Sequence, residues 1–271
     1  MNETDTRGFF GALDSSMDAQ LNYGNWIRRR ILILLGACTL GAGLLVFLPI
    51  GSYRIVSVAL FLVLLVSLLF PLYAYAMFSQ RGGRFQEQVY DLIIRNLGAV
   101  GTGTILDIGS GNGVLAVKAA LHNREADVIG VDYWGADWEY SKRVCDENAR
   151  LARVHERVHF QKGDAATLEF PPNTFDGAIS NLTFHEVRSV ADKRAVLQEA
   201  LRVVKTGGSF AFVDYFYEPK YYGEGPAFDG FLDSLGLAQL EYKPLHEMMA
   251  VPLLLRHPRI LGRVGLMIGR K

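Results

Sequence analysis

Asp107 stands two positions before the glycine turn Gly109-Ser110-Gly111-Asn112-Gly113, and Asp132 follows about 20 residues beyond it, the offset at which a carboxylate reaches a ribose. Glycines so spaced let the backbone bend sharply and meet a ligand with no Cβ in the way, while the helix start beyond them offers unpaired N–H groups. The G-x-G-x-G spacing departs from the G-x-G-x-x-G of dinucleotide sites. Asp107, inside a strand end, would also repel a pyrophosphate, so a cationic ligand suits the turn better. Asp107 has two open roles, direct contact with that cation or ordering of the turn through backbone hydrogen bonds. Further on come Asp164-Ala165 and the run Asn181-Leu182-Thr183-Phe184-His185-Glu186. His185 is a candidate general base, with Glu186 beside it. Alternatively, His185 and Glu186 cap the following helix or bind substrate passively, and Phe184 closes the pocket.

The elements that must position these residues are legible around them. Thr104 to Ile108 reads as a buried parallel strand, followed by the turn and a helix from Val114 to Leu121. Val128 to Asp132, Val158 to Gln161 and Asp176 to Ser180 read as further strands, each with polar residues at its C-terminal end, where open α/β sheets bind ligands. Val89, Leu92, Ile93 and Leu97 give Phe85 to Leu97 the spacing of a helix with one buried face. Cys145, in a helical run from Tyr140 to Ala152, reads as a core residue. Asp176 reads as structural, and Asp214 as a turn cap or a wall of the substrate pocket; neither is counted as catalytic.

The segments LDIGSGNG, GVDYW, the Asn148-Ala149 pair, RVHFQKGDA, LEFPPNTFDGAISN and LRVVKTGGSFAFVDY together resemble the class I S-adenosylmethionine (SAM)-dependent methyltransferases. The resemblance is strongest to the branch with quinone-biosynthesis and other small-molecule enzymes, and runs from about Phe85 to the C-terminus. It implies an α/β, Rossmann-like sheet with helices on both faces and an antiparallel last strand, here Arg263 to Gly269. It also implies a role for each site residue. The turn Gly109, Ser110, Gly111 and Gly113 would hold the methionine part of SAM, Asp132 the ribose, and Asp164 with Ala165 the adenine, with Tyr133 also among the cofactor-binding residues, while Asn181 borders the transferable methyl.

Ahead of this domain, Ile31 to Ile50 and Ile55 to Phe78 carry no charge, each meeting the roughly 20 apolar residues that cross a bilayer. The short connection, Pro49, Gly51, Ser52, Tyr53 and Arg54, makes them a transmembrane hairpin. Arg28, Arg29 and Arg30 before it, and Arg81 and Arg84 after it, outweigh Arg54 in the turn, which places both flanks in the cytosol. The expected layout is a cytosolic tail over 1–30, the hairpin over 31–78, a linker with Gly82-Gly83 over 79–84, and the methyltransferase domain over 85–271. Gly36, Ala37, Gly41 and Gly43 make the first helix small on one side, for the second helix or, alternatively, for a homodimer. Tyr73, Tyr75 and Phe78 read as an interfacial aromatic belt, and Phe9, Phe10, Tyr23 and Trp26 as interfacial contacts of the tail.

The net charge is zero, with 28 basic and 28 acidic residues, so no basic field would gather nucleic acid, and none is expected as a partner. Cys38 and Cys145 are far apart, and no metal-ligand spacing occurs, the remaining histidines reading as surface or loop residues. The expected function is methyl transfer from SAM to a small apolar or amphiphilic acceptor reached from the lipid bilayer. The rival is a noncatalytic, membrane-tethered SAM-binding module, and a nicotinamide oxidoreductase fits the glycine spacing less well. Met248 to Leu255, followed by Arg256, His257 and Arg259, is either an interfacial segment or a core-packed connection. Tyr217, Tyr221 and Tyr222 are a lid or a surface turn.

Overall fold

The computed structural model describes residues 20–48, 51–135 and 139–271, Ser52 by its backbone alone. Phe9 and Phe10 of the expected tail, and Pro49 and Ile50 at the hairpin turn, lie outside the described residues. The chain forms two compact units, one of 23–88 and one of 89–271 with 20–22.

In the first unit, helices α1 (Arg29–Val46) and α2 (Arg54–Phe78) pack against each other across a single turn of 3₁₀ helix, Gly51–Tyr53. At 1.5 Å per residue they are about 27 and about 38 Å long, against a hydrocarbon core of about 30 Å. Most of their large apolar side chains face outward, Ile33, Leu40, Val63 and Val66 among them, with Ile55 79% exposed. Such a surface is costly in water and neutral in lipid, and both helices are candidate membrane spans. Their hydroxyls donate within their own helix, Thr39 to the Leu35 carbonyl at 2.7 Å and Ser67 to that of Val63 at 2.8 Å, as a lipid surrounding requires.

Three expectations for this unit are corrected. The helices meet at Thr39, Ala42 and Gly43, where a Cβ on Gly43 would stand 3.2 Å from the Phe61 ring, whereas Gly36 and Gly41 have nothing within 4 Å. Of the expected small residues, Gly43 is therefore the one set against the second helix, opposite Phe61. Phe78 belongs to no aromatic belt, because it is buried against Trp26 and Phe85 with ring centroids 5.0 and 6.0 Å away. Gly82-Gly83 is a tight turn, with the Gly83 N–H donating to the Ala76 carbonyl at 3.0 Å; a Cβ on Gly82 would stand 2.0 Å from that oxygen.

Helix α3 (Phe85–Leu97) leads into the second unit, whose described strands form one seven-stranded sheet. They are β1 (Thr104–Ile108), β2 (Asp127–Asp132), β3 (Val158–Lys162), β4 (Phe175–Asn181), β5 (Val204–Asp214), β6 (Gln239–Pro244) and β7 (Gly265–Arg270), in the order β3-β2-β1-β4-β5-β7-β6. The first five run parallel, and β7 runs antiparallel between β5 and β6. This is the Rossmann-like methyltransferase sheet with flanking helices. Helix α4 (Val114–His122) is buried from Val114 to Ala120, its residues there small or branched and apolar except Lys118, which pairs with Asp91 at 3.0 Å. Helix α5 (Lys142–Leu151) buries Cys145, Asn148 and Ala149, and α6 (Lys193–Arg202) buries Val196, Leu197, Ala200 and Leu201. Asp176 is structural at the start of β4, accepting the Thr104 N–H at 2.9 Å and pairing with Lys205 at 2.8 Å.

Candidate functional site

The parallel strands bring the acids and the glycine turn to one edge of the sheet. In β1, Asp107 lies between Gly130 and Ile179 of the neighbouring strands and is fully buried. Neither of its carboxylate oxygens has a hydrogen-bond partner. Burial, helped by the charge of Asp132 and only partly offset by the nearby Ala116 N–H and Ser110 hydroxyl, neither of which reaches it with hydrogen-bond geometry, pushes its carboxyl up from 3.8 to about 8. Ser110 turns inward, its hydroxyl donating to the Asp107 carbonyl at 3.2 Å. The N–H groups of Gly109, Ser110, Gly111 and Gly113 are spent inside the protein. Those of Gly109 and Ser110 go to the Val131 carbonyl at 2.7 and 3.2 Å, and that of Gly113 goes to the Ser110 carbonyl at 2.6 Å. What these positions offer a ligand is therefore their missing or inward-turned side chains.

Gly111 is held on both sides of its peptide. Its N–H donates to Asp132 Oδ2 at 2.8 Å, and its carbonyl accepts the Trp134 indole N–H at 2.9 Å and the Cys145 thiol at 3.2 Å. The other Asp132 oxygen accepts the Trp134 backbone N–H at 2.7 Å. Asp132, Gly111 and Trp134 therefore close a ring that clamps the end of β2 to the turn after β1. Burial raises the Asp132 carboxyl above its ordinary range, against the pull of the Trp134 and Gly111 N–H groups. Trp134 was not anticipated, and its place two residues after the strand-end acid is the only signal for it. Tyr133 is exposed, with Lys162 Nζ 5.0 Å from its ring centroid. After β3, Asp164 bends the chain by accepting the Ala166 N–H at 2.9 Å, next to the buried Ala165.

Asn148 braces the turn from behind: its side-chain amide donates to the Asn112 carbonyl at 2.8 Å and to that of Asn22 at 3.1 Å, and accepts the Asn22 N–H at 2.9 Å. Residue 22 thus joins the back of the glycine turn, where no chemistry was expected of it.

At the ends of β4 and β5, Asn181 pairs in register with Val213. Its Oδ1 is buried without a partner. Leu182 adopts φ +53°, uncommon for a branched residue, and turns the chain so that Thr183 faces the glycine turn. A Cβ on Gly109, itself at φ +79°, would stand 1.9 Å from Thr183 Oγ1. Phe184 does not close a pocket; it is fully buried, edge-on to Phe212. His185 and Glu186 do not cap the following helix, since they lie in the 3₁₀ turn Phe184–Glu186 and Asp192 caps α6. His185 Nδ1 lies 2.9 Å from Oδ1 of the fully buried Asp214, and its Nε2 lies 3.8 Å from Glu186 Oε1. Asp214, set aside from the sequence alone, is therefore part of the site.

Of the tyrosines, Tyr222 is core, fully buried between Phe216 and Phe228, whereas Tyr221 lies 5.6 Å from the His185 ring. His246 is half-buried, with its Nδ1 buried and unpartnered, which departs from a plain surface histidine.

Chemically, the edge offers a buried, unpartnered carboxylate under a turn without side chains, a strand-end acid 21 residues from that turn, and an imidazole on a carboxylate. Ionising an unpartnered buried acid is costly, so Asp107 holds its proton in the ligand-free chain until a cation meets it. The amino group of SAM, which also bears a sulfonium, fits that donor set, and a pyrophosphate does not.

Residues 101–226 match a protein-family model described as a methyltransferase domain. The 27-O-demethylrifamycin SV methyltransferase of Amycolatopsis mediterranei (strain S699) is 31% identical over 115 residues, covering 42% of this chain and 39% of its own. The ribosomal RNA large subunit methyltransferase G of Magnetococcus marinus is 32% identical over 136 residues, 48% of this chain and 35% of its own. The chain spans less than half the length of these curated relatives. Among solved structures, the geranyl diphosphate C-methyltransferase from Streptomyces coelicolor A3(2), in complex with Mg2+, geranyl diphosphate and S-adenosyl-L-homocysteine, is similar in fold with a TM-score of 0.53 at 14% identity, over 83% of this chain and 88% of that one.

Proposed function

We propose that this chain, which carries a class I, SAM-dependent methyltransferase domain, transfers a methyl group from SAM to a small apolar or amphiphilic acceptor drawn from the membrane that its first two helices span. The observation that carries the reading is the buried Asp107 carboxylate with no hydrogen-bond partner, waiting beneath a turn that brings no side chains. On this reading Asp107 would take the amino group of SAM, Gly109 to Gly113 its methionine part, Asp132 with Tyr133 the ribose, and Asp164 with Ala165 the adenine. Asn181 would border the methyl group, and His185 with Glu186 would receive the acceptor's proton. A sulfonium is already a good leaving group, so the residues need chiefly to align the acceptor and exclude water.

Two features support delivery from the bilayer. Arginines 28, 29, 30, 81 and 84 flank the apolar helices, against Arg54 between them, which puts both flanks of the hairpin in the cytosol. Within the 248–255 segment, Val251 and Leu255 are core residues, but Leu253 and Leu254 are 80% and 59% exposed, next to exposed Arg256, His257 and Arg259. Apolar side chains with a basic edge suit a lipid interface. The acceptors named by two of the similar proteins, geranyl diphosphate and demethylrifamycin, are small molecules. The ribosomal RNA enzyme is the contrary precedent, and a net charge of zero argues against it here.

The test uses the full chain in lipid nanodiscs. Calorimetry is expected to detect SAM binding and no binding of NAD, and labelled SAM incubated with a membrane lipid extract is expected to label the organic phase. A folded protein that fails to bind SAM overturns the reading, and binding without transfer to any fraction selects the noncatalytic module.

A further inference from the structure

The His185 imidazole is held more completely than a loop brace requires. Asp214 is fully buried at the end of β5, and its carboxylate accepts three groups: His185 Nδ1 at 2.9 Å, the Tyr215 N–H at 2.6 Å and the His185 N–H at 3.3 Å. A carboxylate can only accept, so Nδ1 carries the ring hydrogen and Nε2 is left with the free lone pair. Tyr215 packs edge-on to the ring with centroids 4.6 Å apart, and its own hydroxyl is fastened to the Ile260 carbonyl at 2.6 Å; Tyr221 closes another side at 5.6 Å. The imidazole is therefore fixed in tautomer and in orientation. A brace alone could use a neutral amide, without the cost of burying a charge.

We propose that Asp214 is the positioning residue of an acid–base dyad with His185, and that the methyl acceptor is an atom that sheds a proton as it attacks, a hydroxyl oxygen or an acidic carbon. The inference rests on the methyl-transfer reading above. As the acceptor atom bonds to the methyl carbon, the carbon–sulfur pair passes to sulfur and the acceptor's proton passes to Nε2. The resulting imidazolium lies between Asp214 and Glu186 and later yields the proton to water. A tertiary amine or a thioether has no such proton and would gain nothing from the dyad.

The charged and titratable groups facing the ring are consistent with this use. They are Asp214 from β5, Glu186 on the same turn, Lys193 from α6, and Tyr215 and Tyr221. The Lys193 ammonium is turned onto the Val187 and Val190 carbonyls. Burial lowers the imidazole pKa, but the charge and hydrogen bond of Asp214, together with Glu186, outweigh it and leave the ring above the ordinary histidine value.

The experiment uses the full chain in nanodiscs, with nitrogen-15 labelled histidine. NMR is expected to find His185 protonated on Nδ1 when neutral, with a titration midpoint above 6.5 in the wild type and a lower midpoint in Asp214→Asn. Turnover on the membrane lipid extract should fall about 10- to 1000-fold in Asp214→Asn and roughly 10²- to 10⁴-fold in His185→Gln. SAM affinity by calorimetry should stay near wild type in both, and Asp214→Glu should recover part of the rate. With carbon-13 methyl SAM, the shift of the transferred methyl is expected to be that of an O-methyl or C-methyl product. An unmoved midpoint in Asp214→Asn, a loss of SAM affinity parallel to the loss of rate, or a product methylated at a tertiary amine or a thioether would each overturn the proposal. A wild type that does not bind SAM, or transfers no methyl at all, instead overturns the broader reading.

Discussion

The backbone N–H of Gly111 lies 2.8 Å from Oδ2 of Asp132, so the glycine turn after β1 and the acid at the end of β2 are one hydrogen-bonded unit. Asp132 thus has two jobs, shaping the turn and, on the reading above, holding a ribose. Asparagine would keep the size but turn an amide N–H toward a backbone N–H. Asp132→Asn should therefore weaken SAM binding by about 1–3 kcal/mol, read by calorimetry on the full chain. An unchanged Kd in a folded variant removes Asp132 from the ligand.

Asp107 makes a prediction about protons. Below 3.8 its carboxyl is protonated in both folded and unfolded chains; between 3.8 and about 8 the folded chain keeps a proton that the unfolded chain has lost. The ligand-free protein should accordingly lose stability as pH rises through that window and level off above it, and Asp107→Asn should flatten that slope. A cation bound against Asp107 favours its ionised form, so SAM binding at pH 7 should release a proton. Calorimetry in buffers of different ionisation enthalpy measures it, and zero release places the SAM amine elsewhere.

Gly109 tests the contact between the turn and the loop after β4. With φ +79° and Thr183 Oγ1 1.9 Å from the place of a Cβ, Gly109→Ala must displace one of them. The backbone strain alone is about 1–3 kcal/mol, so both the melting temperature and SAM affinity should fall. Thr183→Ala in the same chain should restore part of each. A Gly109→Ala protein that binds SAM normally would mean that the turn and the loop are not in contact.

The hairpin predicts topology. Reporters fused to the N-terminus and to the C-terminus should both read cytosolic, because an even number of spans returns the chain to its starting side and the arginines choose that side. Readings on opposite sides would mean that one of the two apolar helices does not span.

The features legible along the chain are local: the apolar runs of α1 and α2, the strands that carry Asp107 and Asp132 at their C-terminal ends, and the glycine turn after the first of them. Each follows from periodicity, charge exclusion or backbone freedom within a few residues. Which polar groups are satisfied and which are left for a ligand depends on the packing of distant segments. The N–H groups of the turn's three glycines are bonded to the Val131 and Ser110 carbonyls and to Asp132, so these glycines act through shape, whereas the Asp107 carboxylate is left without a partner. His185 and Asp214 lie 29 residues apart and Asn22 and Asn148 126 apart. Neither pair has a sequence spacing of its own, because strand order brings the first together at the ends of β4 and β5 and chain packing brings the second to the back of the turn. The same holds for Phe78, apolar at a helix end and so read as interfacial, which Trp26 and Phe85 bury. Pairings of this kind arise from which elements become neighbours, and hydrophobic periodicity records only which face of each element is covered.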